Sequence, residues 1–213
     1  MYEPTHFKVD DRAALRKVIA DHPLGLLITA GSAGLTANAV PFTFYDAPGP
    51  QGTLRAHVAR ANPQWRDIAA GADALVVFQG VERYISPGLY ATKAQTHKVV
   101  PTWNYVMVQA RGRASAHEDA AWLRPQIERL TADQEAARAQ PWAVGDAPED
   151  FLEQQMRAIV GIEIEITEMR GKFKVSQNRP AQDRASVLGA LDESSDAGDA
   201  VMAALLRQTA RQV

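Results

Sequence analysis

The 213-residue sequence predicts a mainly β fold, a β-barrel carrying helices at the start, middle and end of the chain. Short stretches in which apolar and polar residues alternate indicate about five to seven antiparallel strands, because each such strand buries one face. The helical segments are clustered, whereas regular alternation of strand and helix would indicate a parallel sheet. We find neither an internal repeat nor a break in composition that would mark a second domain.

The chain opens with a helix that Asp11 can cap, because apolar residues follow it at spacings of three and four. These residues are Leu15, Val18 and Ile19. The apolar run 24–29 then predicts a buried strand, and a glycine-rich turn follows it. Alternating residues within 35–58 indicate an antiparallel pair.

A short helix is predicted where the chain leaves this pair. Asn62 is suited to cap it, and Pro63 is tolerated in the first helical turn because that position needs no amide donor. Residues 91–100 are polar and aperiodic, which predicts a loop. Strand patterns occupy 75–78, 84–85 and 105–116.

Helical patterns dominate the last part of the chain. A helix beginning near Asp119 contains Pro125, which should kink it or mark its first turn. The cleanest strand alternation of the whole sequence comes at 162–166, where three isoleucines are separated by glutamates. Further helices are predicted at 151–157, around 187–191 and from Asp199 onward, the last after a flexible connector at 192–198.

Composition excludes several functional classes. Twenty-three basic against 25 acidic residues give a net charge of −2, which argues against DNA as the main partner. No apolar run reaches the roughly 20 residues of a membrane span. The absence of cysteine removes disulfides and thiolate sites. No secretory signal is evident, so we predict a cytoplasmic location. The five histidines are too far apart to predict a metal site.

The first candidate site segment is a strand–helix junction that holds His57, Arg60 and Asn62. Free amides at a helix start attract anions, and an arginine can grip a phosphate with two hydrogen bonds. A capped helix beside a solvated arginine would produce the same pattern. The segment therefore leaves phosphate binding and a purely structural role both open.

Two later segments also carry side chains suited to a ligand. Thr102 and Asn104 share one face of a predicted strand and Trp103 shares the other with Tyr105, because successive side chains alternate. A core tryptophan beside a turn asparagine is the structural alternative. Further on, two lysines precede a compact polar group, which fits an anion or cofactor site or a solvated basic strand edge. That segment contains Lys172, Lys174, Ser176, Gln177 and Asn178.

Six sequence blocks in order resemble the PaiB family of FMN-binding split-barrel proteins. The blocks are 1–7 (MYEPTHF), 57–65 (HVARANPQW), 84–87 (YISP), 100–105 (VPTWNY), 158–163 (AIVGIE) and 171–179 (GKFKVSQNR). The resemblance implies a six-stranded antiparallel split barrel over residues 1–191, with residues 192–213 outside it as a flexible connector and a C-terminal helix. It also implies a homodimer with FMN in the groove between subunits.

The resemblance assigns roles to the candidate residues. Arg60, with His57 and Asn62, would hold the FMN phosphate with help from Lys172. Thr102 and Asn104 would hydrogen-bond the ribityl chain or ring edge, with Trp103 packing nearby. The remaining site residues of the last block are Ser176, Gln177 and Asn178. No residue stands out as a general acid or base, so no catalytic residue is assigned.

The sequence departs from the family pattern at several ligand-type positions. Histidine is usual in the family at Ala39, ahead of Tyr84 and at Gln109, and a Ser-Trp pair is usual at Gly88-Leu89. Either the pocket takes FMN with altered chemistry, or its ligand has changed. The segments that hold His57, Arg60 and Asn62 and Ser176-Gln177-Asn178 are retained and favour a cofactor site, so we predict an FMN-binding protein with flavin oxidoreductase activity.

Two other functions stay open. The family name includes negative transcriptional regulator, which would require a basic DNA-binding surface such as Arg207 and Arg211 with their symmetry mates. A heme-binding or heme-degrading relative would need an axial ligand, for which His57 and His97 are the candidates.

Overall fold

The structure, a computed structural model, describes residues 1–32 and 34–210. Within them eight strands form one sheet in the order β3-β2-β6-β7-β8-β5-β4, with β1 beside β8. The strands are β1 (Lys8–Val9), β2 (Leu24–Gly31), β3 (Gly34–Pro41), β4 (Thr43–Tyr45), β5 (Thr53–Ala59), β6 (Asp73–Ile85), β7 (Thr102–His117) and β8 (Ile159–Lys174). Two of the eight, β1 and β4, have only two and three residues.

Seven α-helices accompany the sheet in the described ranges. They are α1 (Arg12–Asp21), α2 (Gln64–Ala69), α3 (Lys93–Thr96), α4 (Ala120–Glu135), α5 (Glu149–Arg157), α6 (Ala181–Asp192) and α7 (Ala197–Ala210). The Asp11 carboxylate accepts a hydrogen bond from the Ala13 amide, which confirms the predicted cap of α1. Pro125 lies inside α4 as its sixth residue. None of the described helices is long and apolar enough to cross a membrane.

Three expectations about local structure were wrong. The segments 75–78 and 84–85 are not separate strands but parts of the 13-residue β6. β2 pairs with β6 only over residues 74–77, and β7 is the neighbour of β6 on its other side. Residues 91–100, expected as a loop, include α3. The C-terminal helix starts at Ala197 rather than at Asp199.

The chain forms two compact units from interleaved segments. Unit 1 comprises residues 1–15, 79–108 and 170–213, and unit 2 comprises residues 16–78 and 109–169. The long strands β6, β7 and β8 each contribute residues to both.

The C-terminal helices α6 and α7 complete the hydrophobic core of unit 1. Met202 and Ala203 of α7 are fully buried, and they pack with Val187 of α6 and with Ile85 and Tyr90. Arg83 fixes the start of α7, because its Nε donates to Asp199 at 2.5 Å. The described part of residues 192–213 is therefore integral to this core, while the proposed domain boundary at 191 stays a prediction.

Unit 2 contains the antiparallel pairs β2–β3, β2–β6, β4–β5 and β5–β8. Gln64 of α2 fastens this helix to the β2–β3 hairpin: its Nε2 donates to the Leu27 carbonyl at 3.1 Å, and its Oε1 accepts from Asn38 at 2.9 Å. Gln64 is 1% exposed, so the PQW part of the 57–65 block has a structural role. The Arg55–Glu163 ion pair, at 2.7 Å, joins β5 to β8.

Candidate functional site

The candidate site residues fall into two groups, one in each unit. His57, Arg60 and Asn62 belong to unit 2. The others lie in unit 1 and come from two segments, the start of β7 and the end of β8 with the turn after it. They are Thr102, Trp103, Asn104, Lys172, Ser176, Gln177 and Asn178.

Arg60 is occupied by other groups of the protein. Its Nε donates to the Arg157 carbonyl at 2.8 Å, its Nη2 donates to the Ile159 carbonyl at 3.2 Å, and its Nη1 pairs with Glu118. Arg60 also lines a cavity of about 550 Å³ together with Arg157, Glu118 and Glu153. Because the two cations there are matched by two carboxylates, this cavity offers little net attraction to a phosphate dianion.

The neighbours of Arg60 also make internal contacts. Asn62 Oδ1 accepts the Gln64 amide at 3.0 Å at the start of α2, as a capping side chain does. His57 Nδ1 lies 2.8 Å from Gln126 Oε1 in α4. The phosphate-binding role predicted for this group stays a prediction, and the contacts describe a strand–helix junction held together by polar side chains.

The unit 1 group combines cations, an exposed tryptophan and hydroxyl groups. Lys174 Nζ donates to the Trp103 carbonyl at 2.6 Å and to the Thr102 hydroxyl. Lys172 Nζ donates to the Tyr2 carbonyl at 3.1 Å. Both ammonium groups lie over the Tyr105 ring, at 5.3 Å for Lys172 and 5.9 Å for Lys174. The lysines therefore share one face, as their spacing predicts.

The two lysines and Arg179, which ends the same sequence block, lack acidic partners. Among the described residues no carboxylate forms an ion pair with Lys172, Lys174 or Arg179. Burial, and then the positive charges of Lys172 and Arg179, hold the pKa of Lys174 below its ordinary value. Uncompensated positive charge in a partly desolvated place favours an anionic ligand.

Asn104 stabilises the turn that carries Ser176. It is 0% exposed, its Nδ2 donates to the Ser176 hydroxyl at 2.9 Å, and that hydroxyl lies 3.1 Å from its Oδ1. Ser176 has a left-handed backbone with φ of 64°, which costs a non-glycine residue about 1–2 kcal/mol. The Asn104–Ser176 pair thus holds a strained turn after β8, and the buried Asn104 amide is not accessible to a ligand.

Gln177 and Asn178 differ in their environment. Gln177 uses its amide on the backbone of its own turn, since its Oε1 accepts the Val175 amide at 2.7 Å and its Nε2 donates to the Phe173 carbonyl. Asn178 is exposed. The sequence placed Lys174 in this candidate segment but gave it no role, and it left out Arg179, which ends the same 171–179 block.

Of the residues predicted to bind DNA or heme, Arg207 is paired with a carboxylate and His97 is exposed. Arg207 Nη2 lies 2.5 Å from both carboxylate oxygens of Asp192, and Arg211 lies outside the described residues. His97 is exposed and follows α3 with a φ of 55°. No group of three or more potential metal ligands occurs within residues 1–32 and 34–210. Regulation of transcription and heme binding stay predictions.

Comparison with known protein families gives a match over most of the chain. A family model described as "Putative FMN-binding domain" matches residues 1–168. The Bacillus subtilis protein named protease synthase and sporulation protein PAI 2 is 30% identical, over 97% of this chain and 96% of its own length. An uncharacterized protein of Emericella nidulans is 34% identical, over 88% of this chain and 89% of its own.

Solved structures share the fold at low sequence identity. The flavocytochrome Anf3 of Azotobacter vinelandii has a TM-score of 0.57 at 13% identity, covering 81% of this chain and 72% of that one. The FAD and heme binding protein of Mycobacterium smegmatis has a TM-score of 0.54 at 14% identity, covering 78% and 73%. Together with the large antiparallel sheet, these similarities confirm the predicted split-barrel fold class.

Proposed function

The chain belongs to the family described as "Putative FMN-binding domain", and from this membership we propose that it binds FMN and acts as a flavin-dependent oxidoreductase. The observation that carries the proposal is the set of three cations without acidic partners, Lys172, Lys174 and Arg179, of which Lys174 donates to the carbonyl of the exposed Trp103. FMN joins a phosphate dianion to an aromatic ring system, so it needs both features. The residues present fit this group.

The chain's own residues would bind and orient the cofactor. Lys174, which is only partly buried, would hold the phosphate because its ammonium has a donor left after its two contacts with the protein. Lys172, which is 7% exposed, would add positive charge to the site. The Thr102 hydroxyl, now bonded to Lys174, would turn to a polar group of the ligand, and Trp103 offers a ring for stacking. Bound flavin supplies electron transfer, which the side chains here cannot supply.

An absorption spectrum with two flavins tests this proposal. We expect the protein to retain FMN through desalting, with bands near roughly 370 and 450 nm. Riboflavin, which lacks the phosphate, should bind at least about tenfold more weakly, because a charge-assisted contact contributes about 1.5–3 kcal/mol. Equal affinities would remove the cations from the phosphate role. A colourless protein that retains no flavin would refute the proposal, and a heme band after heme addition would support the heme alternative.

We also propose that the chain forms a homodimer through an aromatic patch of unit 1. Tyr84 and Trp103 pack edge to face with ring centres 5.7 Å apart, yet they are 52% and 53% exposed. Val100, which is 63% exposed, lies two residues before β7, the strand that carries Trp103. Exposed apolar clusters of this kind mark interaction surfaces, and a second copy would cover it.

Light scattering after size-exclusion chromatography measures the mass in solution. The wild type should have twice the chain mass, and Tyr84→Lys should shift it toward the monomer because an unpaired charge would be buried. A wild-type monomer at every concentration would contradict the dimer. Phe151→Lys is a matched control, since Phe151 is 51% exposed but belongs to unit 2.

A further inference from the structure

The N-terminal segment lies beside the cations proposed to bind the flavin. Its strand β1 pairs with β8 in the register Lys8↔Lys172 and Val9↔Gly171. This pairing holds residues 1–9 near the C-terminal end of β8, and both segments belong to unit 1. The fold therefore brings the start of the chain to the proposed flavin site, although the sequence assigned it no role there.

Tyr2 contacts Lys172 in two ways. Its carbonyl accepts a hydrogen bond from Lys172 Nζ at 3.1 Å, and its ring lies over the same ammonium group, with 5.3 Å between Nζ and the ring centre. The attraction between a cation and a ring face is stronger where the cation is desolvated, and Lys172 is buried. These two contacts fix the Tyr2 ring beside Lys172.

The Tyr2 ring is nevertheless almost uncovered. The residue is 83% exposed. Within residues 1–32 and 34–210 no other aromatic ring packs on it, whereas Trp103 already packs edge to face on Tyr84. An aromatic side chain that is held in place and left bare offers a surface on which a planar ligand can stack.

Tyr2 also ends a row of alternating rings and cations. The Lys172 ammonium lies 5.3 Å from the centre of the Tyr105 ring, and the Lys174 ammonium lies 5.9 Å from the centre of the same ring. The row therefore runs in the order Tyr2, Lys172, Tyr105, Lys174. It has an exposed ring at one end and, at the other, the cation proposed to hold the phosphate. FMN has the same order of parts, a planar ring system at one end and a phosphate dianion at the other.

We propose that Tyr2 is a binding residue of the flavin site and that its ring stacks on one face of the isoalloxazine ring. This inference rests on the flavin binding proposed above and adds a residue to it. Stacking depends on the ring system and not on the phosphate. Tyr2 therefore contributes equally to the binding of FMN and of riboflavin, whereas Lys174 contributes to FMN alone.

The affinities of Tyr2 variants for FMN and for riboflavin test the assignment. The experiment uses the full chain with any purification tag at its C-terminal end, and it follows flavin fluorescence on titration. Tyr2→Ala should weaken the binding of both flavins by the same factor, about fivefold to tenfold, as expected for one aromatic stacking contact. Tyr2→Phe keeps the ring and should bind both as wild type does. Phe151→Ala, which removes an exposed ring of unit 2, is the control and should change neither affinity.

The pattern of loss separates a stacking ring from other roles. A loss for FMN alone would mean that the ring acts only by positioning Lys172, and it would overturn the proposal, as would unchanged affinities in Tyr2→Ala. Without flavin, the thermal unfolding midpoint of Tyr2→Ala should equal that of wild type, because the ring is exposed. A lower midpoint would assign the ring to folding and would also overturn the proposal. A wild type that retains neither flavin would instead refute the proposed function, and this inference with it.

Discussion

Replacing Lys174 by methionine is expected to weaken FMN binding by about tenfold to a hundredfold, or about 1.4–2.8 kcal/mol. Methionine keeps the apolar stem and removes the ammonium group that lies beside Lys172 and Arg179 without a carboxylate partner. Riboflavin affinity should change little, because riboflavin has no phosphate. The measurement is quenching of flavin fluorescence on titration, and the ratio of the two affinities isolates the phosphate contact.

Two other variants make this experiment specific. Lys17→Met removes an exposed lysine that pairs with Asp21 at 2.8 Å and should leave FMN affinity unchanged. Arg60→Met tests the phosphate role that the sequence predicts for Arg60. We expect a smaller loss than for Lys174, because Glu118 already neutralises the guanidinium. A larger loss with Arg60→Met would return the phosphate role to the strand–helix junction.

The lowered pKa of Lys174 also predicts how binding varies with pH. Burial and the neighbouring Lys172 and Arg179 cause this lysine to lose its proton at a lower pH than an ordinary lysine. FMN affinity should therefore be complete below the lowered pKa and fall as the pH rises through it. The Lys174→Met variant should lack this fall, so a wild-type profile identical to that of the variant would contradict the assignment.

Substituting Gly112 by alanine is expected to destabilise the protein by about 3 kcal/mol or more. A Cβ at this position of β7 would lie 2.0 Å from the Glu165 carbonyl oxygen and 2.7 Å from its carbon. These are backbone atoms of β8, and they cannot turn aside as a flexible side chain could. The two strands must separate locally, so the midpoint of urea unfolding, followed by circular dichroism, should fall.

Gly189→Ala is the matched control, with the opposite expected sign. Gly189 lies within α6, and nothing comes within 4 Å of a Cβ built there. Alanine should stabilise the helix by about 0.5–1 kcal/mol, since glycine is a poor helix former. If Gly112→Ala were as stable as Gly189→Ala, the close approach of β7 and β8 at Gly112 would be wrong.

Some elements could be predicted because their signals are local. The cap at Asp11 and the stripe of Leu15, Val18 and Ile19 specify α1 through helical geometry alone. The three isoleucines at 162–166 specify a strand because apolar and polar residues alternate there, and all three are 0% exposed. The full length of β6 could not be read in this way, because residues 79–83, which join its two apolar stretches, are mostly polar and lack the alternation of a half-buried strand.

The candidate site shows the same division. The six family blocks identified the relevant segments, and the alternation along β7 placed Thr102 and Asn104 on one face. It could not reveal that Asn104 is fully buried against Ser176, 72 positions away. Nor could it show that Arg60 is paired with Glu118 and with carbonyls 97 and 99 positions away.

The sequence by itself determined the fold class, the family and the residues from which a site could be built. Periodicity and capping are local properties, and the family blocks are read in order along the chain. The tertiary structure decided which of those charges remain free for a ligand. A cation attracts an anion only if no carboxylate already neutralises it, and that depends on contacts between distant segments: Glu118 occupies Arg60, whereas Lys172 and Lys174 keep their charge uncompensated.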